Sequence, residues 1–360
     1  MIQRLQISNF RNYQSACITL SPNITAFIGD NAQGKTNLAE ALFLCCIGKS
    51  HRTAKESDLI LWDADEAKIV IEYQKSTANN KIEMILRRNG KKTILLNGVP
   101  LKRISELFGN VYVVLFAPED LQLVKEGSVV KRTALNMELS QLSVRYFHAL
   151  RQYNQALLQK NAVFKQQQIQ TSVLDAFDEQ LALYGAYLTK QRREYIDKLH
   201  MVAKDIHMAI SGGEELLLQY VPGFIAESED LQSTLFAALQ KGRDVDLQRR
   251  YTSVGPHRDT FDIFINGMDA RRFASQGQQR TAVLALKIAY LTILHEQIGF
   301  WPLLILDDVM SELDEKRRTF FVEYIKNIQT VITCADPAVM ELLSVGKTYR
   351  IHNQQVYLET

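Results

Sequence analysis

Four residues near the start of the chain have the types and spacing to hold a phosphate: Gly29, Gly34, Lys35 and Thr36, in the stretch FIGDNAQGKTN. The pattern is G-x-x-x-x-G-K-T, with an apolar strand before it and a helix, TNLAEALFLCC, after it. The glycines let the backbone wrap closely, so that N–H groups from Gly29 through Asp30, Asn31, Ala32, Gln33 and Gly34 face a β-phosphate. Lys35 reaches the β- and γ-phosphate oxygens, Thr36 offers its hydroxyl to Mg²⁺, and Asn37 completes the first turn of the helix. A chance turn would not bring the strand and the helix with it, so the stretch reads as a nucleoside-triphosphate site. It does not state a purpose, because kinases, transporters, GTPases and DNA motors all share it.

A second motif, PLLILDDVMSELD, supplies the carboxylates such a site needs. Residues 303–306 read as a buried strand, and Asp307 at its end is placed to hold the shell of Mg²⁺. Asp308 follows directly, and two acids in a row suggest a metal ligand plus a base that orients and deprotonates the attacking water. An Asp-rich helix cap is the plain alternative. Lys35 and Asp308 are thus the expected catalytic pair.

A third stretch, FASQGQQRTAVLAL at 273–286, runs from a one-glycine loop straight into a helix. Ser275, Gln276, Gly277 and Gln278 crowd its start, and the first turn carries no negative charge. Free N–H groups and a positive dipole end make such a terminus a second anion site. One chain therefore carries two.

The elements that must position these motifs fall into three parts. Up to about residue 127 the chain reads as short strands with one helix among them, including a hairpin at Asn89–Gly90. From 128 to 245 glycine and proline become scarce and the apolar spacing turns helical, with two long helices around a polar break at 170–172. Strands return over 246–360 at FDIFING, PLLILDD, TVITCA and TYRIHNQQVYLET. The expected fold is α/β: a P-loop NTPase head built from both chain ends (1–127 and 246–360), with an inserted all-helical lobe and its short antiparallel helix pair at 128–245.

The chain has 360 residues, 46% of them hydrophobic and 23% charged, which suits a globular protein of more than one domain. Its net charge of +2 makes no argument for nucleic acid by itself, so any DNA surface must come from local clusters. Two clusters stand out: Arg52 and Lys55 after GKSH, and Arg87, Arg88, Lys91 and Lys92 on the expected hairpin. Such groups neutralise phosphates without reading bases. Cys17, Cys45, Cys46 and Cys334 form neither a disulfide framework nor a C-x-x-C pair, and no apolar run is long enough to span a bilayer. A cytoplasmic protein without a membrane partner is expected.

With these motifs placed, the sequence resembles ATPase heads of the ABC/SMC/Rad50 family, and most closely its bacterial recombination-mediator branch. NFRNY at 9–13, GKSHRT at 48–53, FAPEDLQLVKEG at 116–127, GPHRD at 255–259, SQGQQRT at 275–281 and LDDVMSELD at 306–314 carry the likeness across nearly the whole chain. The resemblance implies that two heads pack head to tail, and that Ser275–Gln278 form a signature capping the γ-phosphate on the partner's P-loop. It also implies a D-loop at Ser311, Glu312, Leu313 and Asp314, and an approach of Arg11 to the nucleotide. Each phosphate site is then half of a composite one, so ATP drives dimerisation on double-stranded or gapped DNA and slow hydrolysis releases it. The implied setting is recombinational repair, replication and SOS induction, with recombinase loading at gaps and partner proteins of the RecR and RecO type. A weak, DNA-stimulated ATPase acting as a switch is expected, with ATP and Mg²⁺ as cofactors. The sequence departs from the pattern in lacking a glutamine at the usual Q-loop position, where Glu119 or Gln122 stands in, and a histidine after VITCA. The weighed alternatives are an ABC transporter's ATPase subunit, another SMC/Rad50-like chromosome-maintenance ATPase, and a small-molecule kinase. The insertion is too short for SMC coiled coils, and no C-x-x-C hook of the Rad50 kind is present.

Overall fold

The strand that leads into the glycine-rich loop, β3 (Ile24–Ile28), is buried at every position and lies inside a mostly parallel sheet. The computed structural model describes residues 1–166, 168, 170–225, 230–335 and 343–359. These divide into two compact units, Met1–Asp120 with Leu294–Thr360, and Leu121–Ile293.

The first unit holds two six-stranded sheets. One has the order β15 (Gln355–Glu359), β14 (Val345–His352), β3, β13 (Thr330–Cys334), β12 (Leu303–Asp307), β8 (Val113–Phe116). All neighbours are parallel except β14 and β15. Strands β12, β13 and β8 are buried throughout, the continuous apolar pattern of a sheet covered on both faces. The other sheet is antiparallel, in the order β2 (Tyr13–Thr19), β1 (Ile2–Phe10), β4 (Glu66–Lys75), β5 (Ala78–Arg87), β6 (Thr93–Leu96), β7 (Val99–Pro100). Here buried Ile82, Met84 and Leu86 alternate along β5 with half-buried Lys81, Glu83 and Ile85, as expected of a sheet with one face more fully covered.

Helix α1 (Lys35–Ile47) packs against strands of both sheets, and eleven of its side chains are buried: Lys35 and every residue from Leu38 to Ile47. A helix apolar all round belongs in a core, and this explains the run LAEALFLCCI. Gly34 opens it at φ 111° and Gly48 closes it at φ 80°, the latter giving its N–H to the Leu44 carbonyl. Helix α10 (Glu315–Ile325) follows β12 and sets Phe321 against Phe116, ring centroids 5.3 Å apart.

The second unit contains α2 (Gln122–Lys125), α3 (Ser128–Leu142), α4 (Val144–Val163), α5 (Thr171–Ser211), α6 (Leu231–Lys241), α7 (Arg243–Arg249) and α8 (Ala270–Phe273). It also holds most of α9 (Gln276–Ile298) and a three-stranded antiparallel sheet of β9 (Leu216–Val221), β10 (Thr260–Ile265) and β11 (Met268–Asp269). Lys160 meets Asp178 and Tyr146 meets Arg192, so α4 and α5 run antiparallel. Strand β9 falls inside the stretch read from sequence as all helix, because its alternating LLLQYV completes a sheet with β10 rather than a helix face. Residues 246–293 pack with this unit, although the sequence reading grouped them with the head.

The GPHRD segment is structural in character. Arg192, 2% exposed, donates to the Tyr146 hydroxyl, the Pro256 carbonyl, the Asp259 carboxylate and Asn136 Oδ1 at 2.6–2.9 Å. Asp259 also accepts from the Gly223 N–H at 2.6 Å, so this buried ion pair has the added hydrogen bonds that burial of charge demands.

Candidate nucleotide site

Parallel pairing brings the chemistry together. Asp307 on β12 is level with Thr333 on β13, and Thr333 with Phe27 on β3, so the carboxylate stands at the strand ends where the glycine-rich loop begins. Open α/β sheets bind ligands at that edge. The Thr36 hydroxyl donates to Asp307 Oδ1 at 2.9 Å, and the Thr333 hydroxyl donates to the same oxygen at 2.6 Å. Burial pushes the Asp307 carboxyl above its ordinary range, and the two hydroxyl donors pull it back only in part. The site therefore holds an acidic oxygen that a cation would stabilise.

Lys35 Nζ donates to the carbonyls of Gly29 and Asp30 at 2.7 and 2.8 Å, bridging the two ends of the loop. Burial lowers its pKa, an effect opposed by Asp308, Cys334, Asp30 and Asp307. The loop glycines are required by their surroundings as well as by phosphate. A Cβ on Gly29 would lie 2.4 Å from the Ile351 carbonyl oxygen, and one on Gly34 would lie 2.8 Å from both Asn12 and the Tyr13 hydroxyl. Ala32 takes φ 66°, the left-handed region that glycine enters without steric cost.

Asp308 also takes a left-handed conformation, φ 55°. Its N–H is held by the Thr333 carbonyl and hydroxyl at 3.2 and 3.0 Å, and Ser311 donates to its carbonyl at 2.8 Å and to Oδ1 at 3.3 Å. The conformation is one that aspartate adopts more readily than most residues, and these bonds fix it from several sides. In the segment that follows, Leu313 is buried and Asp314 caps α10 by accepting from the Arg317 N–H at 2.9 Å, while Glu312 lies half-buried between Ser311 and Leu313.

Arg11 is engaged by an acid on α1. It forms a bidentate pair with Glu40 at 2.8 and 2.7 Å, and Glu40 also accepts from Ser50 at 2.5 Å. Burial works against the Glu40 carboxylate, yet Arg11 and Ser50 bring its pKa below the ordinary value. Arg52 donates to Asn37 at 2.9 Å, and Asn37 donates to Asn12 at 2.8 Å, so this polar network runs from Glu40 to the loop's flank. Of the other basic candidates, Arg88 donates to the carbonyls of Ala64, Leu61 and Trp62, and Lys92 to the Gly48 carbonyl and Glu56. Arg87 reaches Thr93 at 2.9 Å and Lys55 reaches Asp58 at 3.8 Å, whereas Lys91 projects to solvent.

In the second unit, Ser275 and Gln278 cap one another at the start of α9. The Ser275 N–H donates to Gln278 Oε1 at 2.9 Å, and the Gln278 N–H donates to Ser275 Oγ at 3.2 Å. This is a reciprocal capping box. The serine oxygen acts here as an acceptor, which leaves its hydroxyl hydrogen for another group; Ser275 and Gln276 are exposed, Gly277 half-buried. Sequence reasoning missed Thr333, Glu40, Asn12 and Asn353; only Thr333, a hydroxyl ending the strand after the acidic motif, left a readable signal.

The model described as the RecF/RecN/SMC N terminal domain matches residues 1–357. The DNA replication and repair protein RecF of Clostridium perfringens (strain SM101 / Type A) is 43% identical over 360 residues, 99% of each chain. The solved structure of the recombination mediator protein RecF-ATP in the RecFOR pathway superposes with a TM-score of 0.92 at 35% identity, covering 100% of this chain and 99% of that one. Its RecF-ATPrS counterpart gives 0.93 at 34%, with 100% and 98% covered.

Proposed function

The chain belongs to the RecF/RecN/SMC N-terminal domain family, and within it to the RecF proteins of DNA replication and repair, and from that premise we propose that it is an ATP-driven DNA clamp. ATP closes two copies head to tail on double-stranded or gapped DNA, and slow hydrolysis opens them. The observation that carries the reading is the contact of Thr36 with Asp307, which joins the glycine-rich loop to an acidic strand end 271 positions away.

The residues present fit Mg²⁺. Thr36 and Asp307 offer two hard oxygens, and no cluster of three or more acidic or metal-ligating side chains exists among the described residues. Mg²⁺ commonly takes one or two protein ligands and completes its shell with phosphates and water. When bound, the ion neutralises phosphate charge and polarises the β- and γ-oxygens. Around it, the loop's N–H groups cradle the β-phosphate and Lys35 turns its ammonium from the Gly29 and Asp30 carbonyls toward the phosphates. Asp308, steadied by Thr333 and Ser311, orients the attacking water and accepts its proton. Ser275 donates its hydroxyl hydrogen to the γ-phosphate on the partner copy, helped by the positive end of α9. A ligand shared by two copies favours the closed dimer by its differential affinity for that state.

Duplex DNA is held through phosphates, with Arg52, Lys55, Arg87 and Lys91 as candidates, and mediator proteins of the RecR and RecO type are the expected partners. The test is duplex binding by fluorescence anisotropy at rising salt, with and without Mg²⁺–ATP. ATP should tighten binding in the wild type but not in Lys35→Ala, and affinity should fall steeply with salt. Equal affinity in both proteins would overturn the reading.

A further inference from the structure

The C-terminal strands fold back on themselves directly beside the glycine-rich loop. β14 runs parallel to β3, with Arg350 level with Ile28, and His352 stands opposite Gln355 on β15. The turn between them therefore has only two residues, Asn353 and Gln354, at φ 47° and 63°. Two-residue hairpins of this hand favour Asn followed by Gly, and Gln354 bears the side chain that glycine lacks. The hairpin keeps a strained turn at a point where it touches the loop.

The contact is specific. The Asn353 N–H donates to Gln33 Oε1 at 2.8 Å, between residues 320 positions apart. From the opposite flank, Asn12 Nδ2 reaches the Gln33 carbonyl at 3.5 Å. Gln33 immediately precedes Gly34 and Lys35, where the loop becomes a helix, and it is gripped by its side chain and by its main chain. At the loop's other end the Ile351 carbonyl oxygen occupies the space that a Cβ on Gly29 would need. Lys35 also ties the loop through the Gly29 and Asp30 carbonyls. A phosphate that draws the ammonium away weakens those ties, whereas the bond from Asn353 to Gln33 does not involve the lysine and persists.

We propose that the β14–β15 turn is a positioning element of the nucleotide site, in which the Asn353 N–H holds Gln33 and so sets the phosphate loop before nucleotide arrives. The proposal rests on the reading of residues 29–36 as an ATP site. Asn353 acts through the Gln33 side chain and so on the affinity of the loop for ATP. Pre-ordering a binding loop raises affinity by removing an ordering cost that binding would otherwise meet.

The test compares the wild type with Gln33→Met, which keeps the side-chain length and removes the acceptor. Three quantities are read: ATP affinity by calorimetry, the split between KM and kcat in steady-state hydrolysis, and hydrogen exchange at the Asn353 amide. Gln33→Met should weaken ATP by about three- to tenfold, the range expected for one hydrogen bond. That loss should appear in KM, and Asn353 should exchange faster. Gln354→Gly, which relaxes the turn and keeps the bond, should retain slow exchange at Asn353. Unaltered ATP affinity in Gln33→Met, or a loss confined to kcat, overturns the positioning role. A wild type that binds no ATP fails differently: it removes the nucleotide reading itself.

Discussion

Thr36 and Asp307 meet across 2.9 Å, the threonine hydroxyl donating to the carboxylate, although 271 positions separate them in the chain. The contact exists because β13 lies between β3 and β12 and aligns their ends. Burial makes the Asp307 charge unfavourable while no cation is present, and its raised pKa means the native state binds the proton more tightly than the unfolded chain. That difference weakens the fold as pH rises through the carboxylate range. Asp307→Asn keeps an acceptor for Thr36 and Thr333 and removes the charge. The nucleotide-free variant should therefore unfold at an equal or higher temperature than the wild type at neutral pH, while losing the Mg²⁺ dependence of ATP binding. Calorimetric melting with paired ATP titrations checks both halves.

Ser275 caps α9, and one substitution separates this from its proposed part in the dimer. Aspartate caps a helix as well as serine, so Ser275→Asp should retain the fold with a stability change within about 0.5 kcal/mol. Its charge would face the γ-phosphate of the partner copy, and ATP-dependent dimerisation should be lost. Circular dichroism reports the first outcome and sedimentation velocity the second. A dimer that still forms would remove Ser275 from the proposed interface.

The basic hairpin divides by what each side chain already does. Arg88 holds three carbonyls of the 61–64 turn, so Arg88→Ala should destabilise the protein by about 1–3 kcal/mol through the groups left unpaired. Lys91 projects to solvent, so Lys91→Ala should leave stability unchanged and weaken duplex binding. It should also lower the slope of log affinity against log salt by about one unit. Urea melts and anisotropy titrations distinguish the two.

His257 provides a pH signature in the second unit. Its Nδ1 accepts from the Tyr153 hydroxyl at 2.7 Å and its Nε2–H donates to the Thr252 carbonyl at 2.8 Å, which requires the neutral ring. Burial lowers its pKa to about 4, a shift that the Thr252 bond opposes and neighbouring Arg258 and Arg132 reinforce. The unfolded chain binds this proton near pH 6.5, so stability present above that pH is lost as pH falls toward 4. The loss amounts to at most about 3 kcal/mol. Urea midpoints between pH 7 and pH 5 should fall less in His257→Gln than in the wild type.

Much of the site was legible because its motifs are local. Gly29–Thr36 and Asp307–Asp308 each lie within a few residues, and β3 with α1 around the first and β12 before the second form where the sequence reading expected them. That two long helices are separated by a break was readable as a polar interruption of helical spacing, but its placement at 170–172 was late: α4 ends at Val163 and α5 already begins at Thr171. What depends on strand order was not readable. Thr333 reaches Asp307 only because β13 lies beside β12, and Asn353 reaches Gln33 only because β14 lies beside β3. Strand β9 was hidden for a related reason: its six residues form a strand through pairing with β10, far along the chain. The pair of Arg11 with Glu40 on α1 was likewise not readable, because it depends on how α1 packs against the end of β1.

The central claim is that ATP joins two copies through a composite site, and Asp308→Asn tests it most directly. The change should preserve nucleotide binding and remove the base, trapping whatever ATP assembles. Light scattering of this variant should show the mass doubling on addition of Mg²⁺–ATP and returning when nucleotide is removed. A protein that stays monomeric with ATP demonstrably bound would contradict the clamp mechanism.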